Sequence, residues 1–182
     1  MTRSAGHALT IDVRVDSGLW KSAKTAKATV RRAVAQAAAV LSTSPAELAI
    51  VLTDDSAIRL LNRQWRGIDA ATNVLSFPAK RVAGQPPLIG DIVLAQQTIA
   101  REALAERKPF AHHLAHLAVH GYLHLAGYDH ENDEDARLME AAERKILRRL
   151  AIPDPYRDPA ERPQQPAKSA AKQRRDLTRI PR

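Results

Sequence analysis

Leu9, Ile11, Val13 and Val15 alternate with Thr10, Asp12, Arg14 and Asp16, the two-residue period of a strand that buries one face and wets the other. From about Ala23 to Leu41 the repeat lengthens. Val30, Val34, Ala37 or Ala38, and Leu41 fall on one side, which predicts an amphipathic helix. Leu48 to Leu52 is almost wholly apolar, as a central strand buried on both faces would be. Asp54 and Asp55 are candidate caps for a helix carrying Ile58, Leu61 and Trp65. Val74 to Phe77 and Ile89 to Leu94 read as two more strands, joined by a loop with Gly84, Pro86 and Pro87. A helix over roughly Gln96 to Arg107 stops before Pro109, and another starts near Phe110. Asn132 or Asp133 opens the last helix, whose inward face is Met139, Ala142, Ile146 and Leu150. Pro153 and Pro155 end it.

Four short strands followed by a helix-rich second half predict an α+β fold. The expected unit is a single domain over residues 1–156, an about four-stranded mixed sheet packed with about five helices. The sequence holds no internal repeat and no nucleotide-binding glycine loop.

Composition narrows the chemistry. With no cysteine in 182 residues, disulfides, thiolate ligands and thiol redox roles are excluded. Met1 to Ala8 lacks the apolar stretch of a signal peptide, and no segment reaches the roughly 20 apolar residues of a membrane span. A cytoplasmic protein without membrane contact is expected. The formal charge is +8. From Tyr156 to Arg182 eight basic residues stand against three acidic ones. That segment also has Pro159, Pro163, Pro166 and Pro181 and almost no large apolar side chains, so residues 157–182 read as a basic, disordered tail. It is either a solvated end or a polycation that lengthens residence on RNA.

The chemistry concentrates in His120-Gly-Tyr-Leu-His124-Leu-Ala-Gly-Tyr-Asp-His130. Residues four apart on a helix lie roughly 40° apart around its axis, so His120 and His124 share a face. His130 would point elsewhere if the helix continued, but Gly127 can end it in a left-handed conformation and turn the chain back. Three imidazoles then hold one divalent ion and leave a fourth position open, the catalytic rather than the structural zinc arrangement. A plain histidine-bearing amphipathic helix would leave His130 unexplained. His112 and His113, near the helix start, are expected to be solvated. His116 stays open between an ordinary helix position and one that lines the metal's approach or touches a ligand from outside. Asp129 is either an outer partner of an imidazole or a cap of the last helix. For Asp91, turn chemistry after Gly90 is favoured, and Ser76 and Thr72 are read as structural.

The offsets match the metalloprotease pattern His-Glu-x-x-His-x-x-Gly-x-x-His, but Gly121 stands where the protease needs its glutamate base. A peptidase is a poor fit. The run instead resembles the His-Gly-x-Leu-His-Leu-x-Gly-Tyr-Asp-His pattern of the YbeY family of rRNA-maturation endoribonucleases. Leu61-Asn62, Trp65-Arg66-Gly67, Asp69 and Thr72 to Pro78 are similar to that family's second block, and Gly90-Asp91-Ile92 to its third. The likeness continues through Met139-Glu140, Glu143 and Asp154-Pro155-Tyr156. Two positions depart from the pattern. Asn73 stands where many members carry aspartate, which weakens any acid or metal role there, and Trp65 replaces a commoner tyrosine.

The resemblance implies a zinc-dependent, single-strand-specific endoribonuclease with one Zn2+ on His120, His124 and His130. It implies action in small-subunit (16S) rRNA 3′-end maturation and ribosome quality control, beside the ribosome and small-subunit assembly proteins. It also singles out Arg66, whose guanidinium would stabilise charge on the phosphate. A non-catalytic, metal-stabilised assembly factor and a metal-dependent hydrolase of another substrate are the alternatives.

Overall fold

The computed structural model describes residues 9–21, 23–43, 46–80 and 87–157. The tail from residue 158, the loop through Gly84 and Pro86, and residues 1–8 lie outside them. Four strands form one mixed sheet: β1 (Thr10–Val15), β2 (Glu47–Thr53), β3 (Val74–Pro78) and β4 (Leu88–Ala95), in the order β1-β2-β4-β3. β1 runs parallel to β2 and β2 to β4, whereas β3 is antiparallel to β4 and forms one edge. The apolar run of β2 is therefore central, as its composition requires.

Period-two alternation divides the apolar side chains between two faces. Val13, Leu48, Ile50, Leu52, Ile92 and Leu94 join the main core, while Leu75, Val93 and Ala95 join a smaller one around Ile58. The small core is roofed by α2 (Asp55–Arg66). The main core takes α1 (Ala23–Leu41), α4 (Phe110–Leu125) and α5 (Asp133–Arg149). α3 (Gln96–Ala105) follows β4 directly and packs on α4 and α2. It ends two residues short of the expected Arg107, whose φ of 52° is incompatible with further helix. Among the described residues, the α+β class, the mixed four-stranded sheet and the five helices are as the sequence predicts.

α4 is the central helix. Leu114, Ala115, Leu117, Ala118, Val119, Gly121, Tyr122 and Leu123 are all buried, because the sheet, α1, α3 and α5 enclose it on several sides. Alanines on α1 (Ala26, Ala33, Ala37, Ala38) leave room for its close approach. On α5, Met139, Ile146 and Leu147 are buried, each worth roughly 1.5–3 kcal/mol of transfer free energy. Caps fix the ends. Asp54 Oδ1 accepts from the Ala57 N–H at 3.0 Å, and Asn132 Oδ1 accepts from Glu134 and Asp135. Asp55, the other candidate cap of α2, accepts from Thr98 and pairs with Arg101, clamping α2 to α3.

Candidate metal centre

The last turns of α4 place His120 and His124 on one face, with their Nε2 atoms 3.1 Å apart. The helix ends at Leu125, and the N–H groups of Gly127 and Tyr128 return to the His124 and Leu123 carbonyls. Gly127 takes a φ of +91°, a region where a Cβ is penalised. The reversal brings the His130 ring within 5.0 Å of His124 and 5.6 Å of His120, centroid to centroid. One nitrogen from each of the three rings lies within 4.8 Å of the others. The convergence inferred from spacing and from the glycine is present.

The remaining nitrogens decide whether these rings suit a cation. His124 Nδ1 lies 3.1 Å from the Tyr128 carbonyl oxygen, which can only accept, so Nδ1 carries the proton. His120 Nδ1 lies 2.8 Å from Glu143 Oε1. Burial pushes Glu143 up, but hydrogen bonds from His116 and His120, the nearby charge of His116 and the hydrogen bond from Tyr156 together outweigh it and hold Glu143 down at about 2. Glu143 is therefore ionised and accepts as well. With Nδ1 carrying the proton on both rings, the Nε2 atoms face each other across 3.1 Å, and their lone pairs repel unless a cation or proton lies between them. Burial, followed by the neighbouring His120 and His130, pushes His124 below the ordinary imidazole value, which favours the neutral, ligating form. The donor set fits a divalent metal with nitrogen preference.

The carboxylate behind His120 had no role assigned from sequence. Glu143 is fully buried. Its Oε2 accepts from His116 Nε2 at 2.8 Å and from the Tyr156 hydroxyl. Its signal was available: a glutamate inside the apolar stripe of α5, between Met139 and Ile146, must find partners for its charge. His116 thus touches, from outside, the carboxylate that partners the candidate ligand His120. The expectation of a solvated His113 is corrected. It is 4% exposed because Glu102 of α3 stands opposite and meets its Nε2 at 2.8 Å. His112 is half-buried.

Asp129 does neither of the things expected of it. Its Oδ1 accepts from the His130 backbone N–H at 2.8 Å, while Tyr128 and Glu143 serve the imidazoles and Asn132 caps α5. Asp91 is not a turn residue either. Gly90 lies within β4, opposite Pro78, and a Cβ there would stand 2.2 Å from the Phe77 carbonyl oxygen. Its glycine answers to strand approach.

The three histidines open into a cleft of about 660 Å³ whose other wall includes Asn62, Arg66, Thr72, Asn73 and Ser76. Arg66 occupies the last turn of α2, which closes on Gly67 at a φ of 71° with its N–H on the Arg63 carbonyl. The loop beyond is held by Asn62 Nδ2 on the Ala70 carbonyl at 2.8 Å and by the bidentate Arg59–Asp69 pair. Arg66 is exposed and has no carboxylate within 4.0 Å among the described residues. Its guanidinium remains available to an anion. Ser76 Oγ donates to the Gly121 carbonyl at 3.0 Å, the structural role expected. Asn73 donates its amide to both Glu102 oxygens at 3.0 and 3.1 Å. Trp65 is 64% exposed and meets Phe77 edge-on at 5.9 Å.

Comparison with known proteins follows the same residues. The family model described as Endoribonuclease YbeY matches residues 14–151. A protein of that name from Bradyrhizobium diazoefficiens is 53% identical over 155 residues, spanning 81% of this chain and 85% of the relative. Its counterpart from Nitrobacter hamburgensis is 54% identical over 153 residues, with 80% of each chain covered. One from Rhodopseudomonas palustris is 52% identical over 154 residues, covering 81% of this chain and 92% of the relative. By its sequence from Arg14 to Ala151, including the histidine run that builds the cleft, the chain belongs to the endoribonuclease YbeY family.

Proposed function

We propose that the chain is a zinc-dependent, single-strand-specific endoribonuclease acting in 16S rRNA 3′-end maturation and ribosome quality control, in the cytoplasm beside the ribosome and small-subunit assembly proteins. One observation carries the reading. Three imidazoles with two outer nitrogens tied off converge in an open cleft that also presents an arginine with no ion pair among the described residues. Family membership supplies the substrate class. Among the described residues no helix is long and apolar enough to cross a membrane.

In this reading His120, His124 and His130 hold the one Zn2+, and the chemistry such an ion supplies is Lewis acidity toward water or a phosphoryl oxygen. The Tyr128 carbonyl holds the His124 imidazole in the Nδ1–H tautomer. Arg66 donates paired hydrogen bonds to the phosphate oxygens and stabilises the charge that grows there. Residues 1–156 form the hydrolase unit, and the basic segment 157–182 adds phosphate contacts.

The test is cleavage of end-labelled RNA, single-stranded or in a duplex, by wild type, His124→Ala, Arg66→Ala and chelator-treated protein. Wild type should cut the single strand alone. Chelation and His124→Ala should abolish cutting, and zinc should restore the chelated sample. Arg66→Ala should lower kcat by about 10²–10³-fold at full zinc occupancy, the usual effect of losing one charge-stabilising donor. Small-subunit particles with unprocessed rRNA serve as the second substrate. Full cleavage by Arg66→Ala removes that residue from the proposal. Absence of cleavage by wild type with retained ribosome binding replaces the enzyme by an assembly factor.

A further inference from the structure

His120 is the ligand whose outer nitrogen meets a charged side chain, and that side chain is unusually well held. Glu143 is fully buried on α5, yet both of its oxygens are engaged. Oε1 faces His120 Nδ1 and Oε2 faces His116 Nε2, each at 2.8 Å. The Tyr156 hydroxyl closes on Oε2 as well. Tyr156 comes from the segment after α5, and its ring packs edge-on against His116 at 5.8 Å. Arg144 lies over the same ring at 4.9 Å while pairing with Glu140 and Asp154. A carboxylate placed in an apolar stripe is costly unless every lone pair has work. Here three donors from two other elements converge on it.

We propose that Glu143 is a positioning residue of the metal centre, fixing the tautomer, ring angle and basicity of His120, and that the Asp154–Tyr156 segment acts as its lock. This rests on the ligand assignment of the preceding section and goes beyond it by adding residues that never touch the ion. The physical reason is twofold. A carboxylate bonded to Nδ1–H leaves Nε2 as the ligating nitrogen and makes it a stronger donor. It also places one negative charge, itself fully buried, behind a centre whose three histidines contribute none, which favours a divalent cation there. His116 and Tyr156 hold the carboxylate still, so that the ring it steers cannot turn away.

The experiment measures metal affinity rather than cleavage. Full-length protein is stripped with chelator, and Zn2+ and Co2+ binding are read by competition with a chromophoric chelator, alongside the thermal midpoint of the metal-free protein. Glu143→Gln keeps the shape but removes the charge. It should weaken binding roughly tenfold to hundredfold, the usual consequence of losing an outer partner of a ligating histidine. Tyr156→Phe should weaken binding less, by a few-fold. In wild type, imidazole 15N spectra should show His120 protonated at Nδ1, and Glu143→Gln should shift that signal with the His124 signal unmoved. Wild-type affinity and an unshifted His120 signal in Glu143→Gln would overturn the proposal. If that variant fails to fold, Tyr156→Phe decides, and unchanged affinity there overturns it too. His124→Ala separates the two layers. If it binds metal as wild type does, the ligand set itself is wrong and the inference falls with it. If it loses metal while Glu143→Gln does not, only the positioning role is lost.

Discussion

Replacing Gly90 by alanine should be among the most damaging one-carbon changes in this chain, and the structure gives the size of the effect. Gly90 has a φ of +148° and pairs with Pro78 across the β3–β4 ladder. An added Cβ would lie 2.2 Å from the Phe77 carbonyl oxygen and 3.1 Å from Leu125 Cδ2. Carbon and carbonyl oxygen ordinarily meet no closer than about 3.3 Å, so β3 would have to retreat by roughly 1 Å. That retreat strains the adjoining Ala79 N–H to Ile89 carbonyl bond, now 3.0 Å. Overpacking of this kind costs about 1–3 kcal/mol, and a non-glycine residue in a sparsely populated conformation about 1–3 more. Together, about 2–5 kcal/mol is expected. For a chain of this length that lowers Tm by roughly 10 °C. β3 also forms one wall of the cleft, so cleavage should fall alongside stability. Thermal unfolding by circular dichroism reads the first effect. Gly18→Ala is the control, because nothing lies within 4 Å of a Cβ there, and its change should stay within about 0.5 kcal/mol. Equal melting of both variants, within about 2 °C of the parent, would refute the argument from strand approach.

Two further outcomes follow from the buried polar groups. Glu143, normally near 4.5, is held at about 2 in the folded protein, so between those values the unfolded chain binds the extra proton. Its stabilisation is complete above about pH 4.5 and is lost as pH falls toward 2, on the order of 3 kcal/mol in all. Denaturant midpoints of metal-free protein from pH 7 to pH 2.5 should show that decline, and Glu143→Gln should flatten it; equal slopes in the two proteins would contradict the pairing. Asn73→Asp would bring a second carboxylate within about 3 Å of Glu102, where two ionised acids repel and one pKa rises. The variant should be about 1–3 kcal/mol less stable at pH 7 and recover relative to the parent as pH falls and the pair takes up a proton. A deficit unchanged between pH 7 and pH 5 would speak against that contact.

What could be read from the sequence was what acts locally. Strand alternation, the apolar run of β2 and the helix periods depend on neighbours in the chain, so the element types were recoverable. The three metal candidates lie within a single turn and reversal, and Gly127 announces that reversal because few other residues enter its conformation readily. What was hidden depends on distant elements. His113 looks like a solvated residue of a first turn until α3 places Glu102 against it, 11 positions earlier. Glu143 meets His120 across 23 positions and His116 across 27, and no periodicity reveals which helix will lie opposite. Asp129 misled for a related reason. Several acceptors compete for the same donors near a helix start, and only geometry decides that Asn132 takes the cap.

Gly121 shows how packing and chemistry constrain each other in this site. One position along a helix rotates a side chain by about 100°, so the residue after His120 turns away from the cleft and toward the sheet. A Cβ at Gly121 would already meet Ile92 Cγ2 and Ser76 Oγ at 3.0 Å and Val74 Cγ2 at 3.3 Å. A glutamate there, the base of the metalloprotease arrangement, would have to enter the seam between α4 and β3. The loss of that base is therefore tied to the close seating of α4 on the sheet, with Ser76 bonded to the Gly121 carbonyl. The same seating holds the His120 turn of α4 against β3 and fixes the distance from the imidazoles to the opposite wall. That wall presents Arg66, Thr72 and Asn73 to the cleft. A cleft that gathers three imidazoles able to hold a cation and faces them with a guanidinium that has no ion pair among the described residues is better matched to a charged phosphodiester than to a neutral peptide bond.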